Sequence, residues 1–150
     1  MGIKIPLEEL ARVETMLNTI PFMKSVTRAE IQELAYQLTR RTYKKDETII
    51  KQGEPGTLFY LISKGKVKVV KEKFFKKVVL AELGPGSFFG EMALIDDFPR
   101  TATVIGDEVG EMYTLSHTAF ESILLKNPQV KELIMQEAEE RKKKNQALEA

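Results

Sequence analysis

The chain contains no cysteine and a single histidine. Disulfides, thiolate metal sites and cysteine nucleophiles are therefore excluded, and general-base catalysis by histidine has little scope. An absence of cysteine also fits a reducing compartment. There is no excess of either charge: 23 Lys+Arg stand against 22 Asp+Glu, a formal net charge of +1. That balance gives no global case for nucleic acid or an anionic membrane as partner. No apolar run approaches transmembrane length, and "MGIKIPLEELARVE" lacks the apolar core of a signal peptide, so the expectation is a cytoplasmic protein. Internal repeats and low-complexity segments are missing too. What remains is ordinary: 150 residues, 43% hydrophobic and 30% charged. That suffices for a single domain, residues 1–150, with a core that needs no covalent staples.

Periodicity divides the chain into helices, a β block, then helices again. Leu7, Leu10, Val13, Leu17 and Ile20 recur at spacings of three and four, which predicts an amphipathic helix over 6–20 ended by Pro21. "TRAE" follows, where Thr27 and Glu30 form a capping box with Val26 and Ile31 placed as a hydrophobic staple. The stripe Ile31, Leu34, Ala35, Leu38 carries that helix to about Arg41, and residues 1–44 read as the N-terminal helices. From 45 to 115 the chain is β-branched and aromatic, punctuated by Gly53, Pro55, Gly56 and Gly65. "GKVKVVKE" alternates as a half-exposed strand, "FFKKVVLAEL" reads as its hairpin partner, and "TATVIGDEVGEMYTLS" holds two more short strands around Gly106–Gly110. Short strands with glycine turns predict an antiparallel sandwich or roll. Ser116 caps a helix in "HTAFESILLK", and Asn127-Pro128 closes it and opens the last one, within a C-terminal helical segment 116–150. The final helix carries Glu137–Arg141, Glu139–Lys143 and Glu140–Lys144 at i,i+4, each worth ~0.2–0.5 kcal/mol. Its apolar residues thin out after Ile134 and Met135, leaving a tail that is frayed or docked on a partner.

The chemistry concentrates in "LGPGSFFGEMALIDDFPRTATV", residues 83–104. Gly84, Gly86 and Gly90 imitate a dinucleotide fingerprint, but the spacing is one residue too long and no strand–helix–strand unit flanks it; Gly84-Pro85-Gly86 reads as a plain turn. Gly90 lets backbone approach a ligand closely. Glu91 suits a sugar hydroxyl, and Arg100, nine residues on, can bind a phosphate oxygen pair bidentately. Thr101, Ala102 and Thr103 are small enough to leave room. One acid, one arginine and backbone amides suit a sugar phosphate; a structural Glu91–Arg100 salt bridge satisfies the same two charges. Asp96 and Asp97 could join Glu91 around a cation, but solvated loop-tip residues are the simpler reading, and no metal is assigned. His117 follows a cap and reads as a surface or capping residue. "KEKFFKKVV" is either a basic aromatic patch for single strands or, more simply, a charged hairpin with solvated lysines.

"FGEMALIDDFPRTATV" resembles the phosphate-binding cassette of the cyclic nucleotide-binding domain family, which includes bacterial catabolite activator proteins, kinase regulatory subunits and cyclic-nucleotide-gated channels. "GTLFYLISKGKVKVV" resembles the early strands of that family, and the likeness spans roughly residues 20–135. It implies an α+β fold: an antiparallel, jelly-roll-like β-roll flanked by N-terminal and C-terminal helices, with the cassette at 89–104. It implies binding of cAMP or cGMP without chemistry on it, hence no enzyme, no catalytic residue and no cofactor. Carried over by position, Glu91 would accept the ribose 2′-hydroxyl. Arg100 would pair with the cyclic phosphate, helped by backbone amides of Gly90, Glu91, Met92 and Ala93. Thr101 and Ala102 would contact the phosphate or base edge, the Thr101 hydroxyl being able to reach a guanine. Leu80 would pack on the purine. The expected partners are the cyclic nucleotide and a protein partner, a fused output domain or a second copy through the C-terminal helix, with no direct nucleic acid and no membrane span.

Overall fold

Strand β4 (Leu58–Lys64) shows why the sequence builds a roll with helices on one side. Its residues are apolar on both faces, as expected of a strand covered twice. Phe59 and Leu61 point into one apolar cluster, Tyr60 and Ile62 into another. The first cluster gathers the helices; the second fills the space between two antiparallel sheets. The computed structural model describes residues 2–95 and 99–149. Within them, one sheet runs β1 (Ile3–Lys4), β2 (Thr39–Tyr43), β9 (Gly110–Ser116), β4 and β7 (Phe88–Phe89). The other runs β3 (Thr48–Ile50), β8 (Thr103–Gly106), β5 (Val67–Lys73) and β6 (Lys76–Leu83). Four helices complete the α+β fold: α1 (Leu10–Asn18), α2 (Arg28–Gln37), α3 (His117–Lys126) and α4 (Pro128–Glu149).

Helix starts follow local chemistry. At α2 the Glu30 N–H donates to the Thr27 hydroxyl at 3.2 Å and the Thr27 N–H donates to the Glu30 carboxylate at 3.0 Å, the reciprocal capping box. Val26 and Ile31 are buried in the same cluster. Ser116 caps α3 by accepting from the Ala119 N–H at 3.1 Å, and Pro128 opens α4. On the helix side, Phe22 meets Phe59 and Phe88 edge-on at 5.9 and 5.5 Å. Inside the roll, Tyr60 and Phe89 stack at 4.8 Å.

Three sequence expectations are corrected. α2 ends at Gln37, not near Arg41, because Leu38 turns extended and Thr39–Tyr43 pair with β9 in register Thr39↔Thr114 to Tyr43↔Gly110. Segment 1–44 therefore carries two strands besides its helices; Ile3 and Lys4 pair with Arg40 and Thr39. Phe74 and Phe75 are not strand residues of the hairpin but its two-residue turn, β6 starting at Lys76. Finally, the polar end of α4 is docked on the chain's own surface. The helix packs against the Pro21–Met23 turn, α3, the Glu91–Leu94 turn and β6, and Lys71 of β5 pairs with Glu149 at 3.0 Å. Among the described residues no helix is long and apolar enough to cross a membrane.

Candidate functional site

Gly90 begins the site with φ of 77°, a left-handed conformation that an L side chain adopts only at a cost. From there Glu91–Leu94 make one 3-10 turn, with the Ala93 N–H donating to Gly90 O at 3.1 Å. That amide is thus engaged within the turn. Ala93 and Leu94 are buried, and Met92 packs against the helix-side cluster.

The Arg100 backbone is pinned by the loop before β4. The Gly53 N–H donates to Arg100 O at 2.8 Å, the Arg100 N–H donates to Glu54 O at 2.8 Å, and Pro55 bridges Pro99. Its guanidinium turns inward across two glycines. A Cβ on Gly56 would overlap the guanidinium, and one on Gly90 would stand 2.9 Å from Arg100 Nη1. Gly56 is thus part of the seat, which the sequence reading missed; the signal was present in "GEPGT", whose glycines were read only as punctuation. Arg100 Nη2 donates to Leu58 O at 2.8 Å. Burial draws the Arg100 guanidinium below its ordinary pKa, opposed by Tyr60 and Glu91; arginine's reference value keeps it cationic at neutral pH. Beside it lies a cavity of about 160 Å³ lined by Ile50, Lys51, Glu54, Gly56, Tyr60 and Arg100 among others.

Glu91 does not pair with Arg100. Among the described residues, no carboxylate forms a salt bridge with the Arg100 guanidinium. Glu91 is 5% exposed, and its partner is Arg141 of α4, with Nη1 3.3 Å from Oε2. Arg141 Nη2 also donates to Phe88 O at 2.8 Å, and its guanidinium lies 4.5 Å from the Phe88 ring centroid. The internal Glu91–Arg100 salt bridge entertained from spacing is therefore absent. Sequence reasoning paired Arg141 with Glu137, a contact the structure keeps at 3.5 Å, but had no means of finding Glu91, which lies far from it in the chain.

The other expected residues fall around this pair. Leu80 is buried on β6, the strand that α4 packs against. Ala102 is buried and Thr101 is exposed at the start of the segment leading into β8. None of these three lines the cavity beside Arg100. Asp96 and Asp97, considered for a cation, lie outside the described residues, within which no group of three potential metal ligands occurs. His117 ties the site to α3: its Nδ1 contacts Leu94 O at 2.9 Å and must donate, since a carbonyl only accepts, while its backbone N–H donates to Thr57 O at 3.1 Å.

Comparison with known proteins gives this geometry its context. The family model for the cyclic nucleotide-binding domain matches residues 40–127. The type II regulatory subunit of cAMP-dependent protein kinase from Drosophila melanogaster is 36% identical over 112 residues, 74% of this chain and 30% of that protein. The corresponding regulatory subunit of Debaryomyces hansenii is 36% identical over 111 residues, 74% of this chain and 24% of that protein. This chain thus matches under a third of those relatives' length. Among solved structures, cAMP-bound PfPKA-R (141-441) superposes with a TM-score of 0.77 at 25% identity, covering 94% of this chain and 48% of that one. A cyclic nucleotide-binding domain from Methylobacillus flagellatus has the same fold, with a TM-score of 0.76 at 23% identity over 97% of this chain and 84% of that one. The family-model match over residues 40–127 and the 36% identity to both regulatory subunits show the family: the chain belongs to the cyclic nucleotide-binding domain family.

Proposed function

We propose that residues 1–150 form a single sensor module that binds a cyclic nucleotide, cAMP or cGMP, in the roll and repositions its C-terminal helices in response. One observation carries the reading. The Arg100 guanidinium is turned into the roll over two glycines, with one bond to a carbonyl and no carboxylate among the described residues to neutralise it. A half-buried cation held this way is suited to a phosphodiester, whose two free oxygens match the guanidinium fork. Glu91 complements it. Its Oε2 is engaged by Arg141, which leaves Oε1 to accept a ribose hydroxyl, a carboxylate having about four acceptor positions. Leu80 supplies an apolar surface for the purine, and Thr101 and Ala102 complete the phosphate side. The module binds and does not transform its ligand.

The response follows from which elements the cassette turn touches. Arg141 ties α4 to Glu91 and Phe88, and His117 ties α3 to Leu94. A ligand that shifts the Glu91–Leu94 turn changes both tethers, and it drives the helices only as far as it prefers one arrangement over the other. The output passes to a protein partner, a fused domain or a second copy through α4. Isothermal titration with cAMP and cGMP tests the assignment: wild type binds at least one, Arg100→Ala loses more affinity than Glu91→Ala, and wild-type affinity in Arg100→Ala refutes it.

A second reading, a ligand-free interaction scaffold, draws on the Glu91 carboxylate already being paired with Arg141. Thermal melting with either nucleotide in excess separates the two. Ligand at 100 times its dissociation constant adds about 2.7 kcal/mol, and a scaffold shows no shift.

A further inference from the structure

The β5–β6 hairpin carries a feature that nucleotide binding leaves unexplained. β8 pairs with β5 only over Val67–Val70, whereas β5 and β6 continue to pair out to Lys73↔Lys76. The hairpin end therefore projects past its sheet as a two-stranded ribbon. Gln52 braces it, accepting from the Glu72 N–H at 2.9 Å. Its turn is Phe74-Phe75, with φ of 50° and 67° and exposures of 86% and 111%. Both values lie in the left-handed region, where such turns favour Asn-Gly and a bulky side chain is strained. The pair closing the turn sets Lys73 directly opposite Lys76, a like-charge pair that weakens a ladder. Folding alone thus accounts for neither the rings nor the lysines.

Charge points to what does. Residues 66–77 hold six lysines and one glutamate, a local charge of +5 in a chain whose total is +1, so the remainder carries −4. Lys68, Lys71 and Lys77 have acidic partners in Asp107, Glu149 and Glu72. Lys73 and Lys76, flanking the rings, have none among the described residues, and Lys73 Nζ lies 5.8 Å from the Phe74 ring centroid. We propose that this hairpin tip docks on the anionic surface of a lipid bilayer, Phe74 and Phe75 entering the interface while Lys73 and Lys76 meet the headgroups. Two exposed rings at the end of a braced, projecting ribbon suit a deformable apolar interior rimmed by negative charge. A single-stranded nucleic acid asks instead for a groove that tracks its backbone and spaced stacking platforms.

Co-sedimentation with phosphatidylcholine vesicles, with and without about one-third phosphatidylglycerol, tests it near 0.1 M salt. Wild type is expected to partition onto the anionic vesicles and not the neutral ones, and to be released by 0.5 M salt. Each of Lys73→Gln and Lys76→Gln should weaken partition roughly fivefold. The double variant Phe74→Asn/Phe75→Gly, which installs the favoured turn, should weaken it at least tenfold while leaving the melting temperature unchanged or raised. The chain has no tryptophan, so Phe75→Trp provides a reporter whose emission should shift blue with anionic vesicles alone. Failure of wild type to sediment with anionic vesicles overturns the proposal. So does unaltered partition in the double variant, or binding to a single-stranded oligonucleotide without binding to vesicles. None of these outcomes depends on cyclic nucleotide binding.

Discussion

Removing Arg141 should undock the second half of α4 while leaving the rest of the fold intact. The helix buries only Val130 and Ile134. Beyond them it is held to the body by polar contacts: Arg141 on Glu91 and Phe88, and Glu149 on Lys71. Arg141→Ala deletes a charge-assisted bond to a carboxylate side chain that is 7% exposed and a bond to Phe88 O. It also removes the stack on the Phe88 ring. Hydrogen bonds to charged groups contribute about 1.5–3 kcal/mol and a partly exposed cation–π contact about 0.5–1 kcal/mol. The Arg141 side chain is 31% exposed, which favours the lower end, about 2 kcal/mol for the set. A loss of that size raises the local opening equilibrium roughly thirtyfold. Hydrogen exchange followed by mass spectrometry should show faster exchange across 137–149, since a released helical segment this short is marginal in water, with α2 and the β4–β9 pairing unaffected. Arg141→Lys retains the charge but loses the fork and the stack, so it should fall between. In Glu91→Gln the effect of Arg141→Ala should shrink, the signature of a coupled pair. Unchanged protection over 137–149 in Arg141→Ala would refute the docking argument.

Two further substitutions separate binding from folding. Gly56→Ala places a methyl where the Arg100 guanidinium lies. That group is the far end of a flexible side chain, so the melting temperature should hardly move while cyclic nucleotide affinity, read by calorimetry, falls at least tenfold, or about 1.4 kcal/mol; retained affinity would remove Gly56 from the site. Glu30→Gln should flatten the acid limb of stability. The Thr27 N–H bond holds the Glu30 carboxyl below its usual value against the opposing effect of burial, helped by the Thr27 hydroxyl, Asn127 and Lys126. A depressed folded pKa gives stability that is present above the ordinary glutamate value of about 4.5 and is lost as pH falls through the folded value. Urea titrations between pH 6 and 3 should therefore show a shallower loss in Glu30→Gln, and identical slopes would discount the capping box as an acid-labile tie.

Much of this fold was legible wherever its cause is local. The capping box at Thr27 and Glu30, the Ser116 cap, Pro128 at a helix start and the alternation in β5 each need only a few neighbouring residues. β2 was hidden because its reason is distant: Thr39–Tyr43 are extended to meet β9, some seventy residues on, while the preceding stripe reads as continuing helix. β1 has two residues, both exposed, and exists only as the partner of β2. Neither element has a period long enough to recognise.

The candidate site divides in the same way. Glu91 and Arg100 were legible as candidates because the residues around them have a recognisable order. Gly56, Arg141 and the His117 contact were not, because each acts across the fold on a group far away in sequence. Those long-range contacts are the ones through which the proposed ligand would act on the helices. Arg100 is anchored to the loop at Gly53–Glu54; Leu94, at the end of the cassette turn, is tied to α3 through His117; Glu91, at its start, is tied to α4 through Arg141. Between α3 and α4 stands Asn127, buried, whose side chain donates to Glu30 Oε2 at 3.0 Å and Ile123 O at 3.1 Å. The junction of the two helices is thereby fixed to α2, while each helix is attached separately to one end of a four-residue turn. A displacement of that turn cannot be absorbed at Asn127 without breaking buried hydrogen bonds, each worth about 1–3 kcal/mol when left unmade. In the proposed response it would be taken up instead where α4 is held weakly, beyond Ile134, which would make the charged second half of the last helix the part that moves.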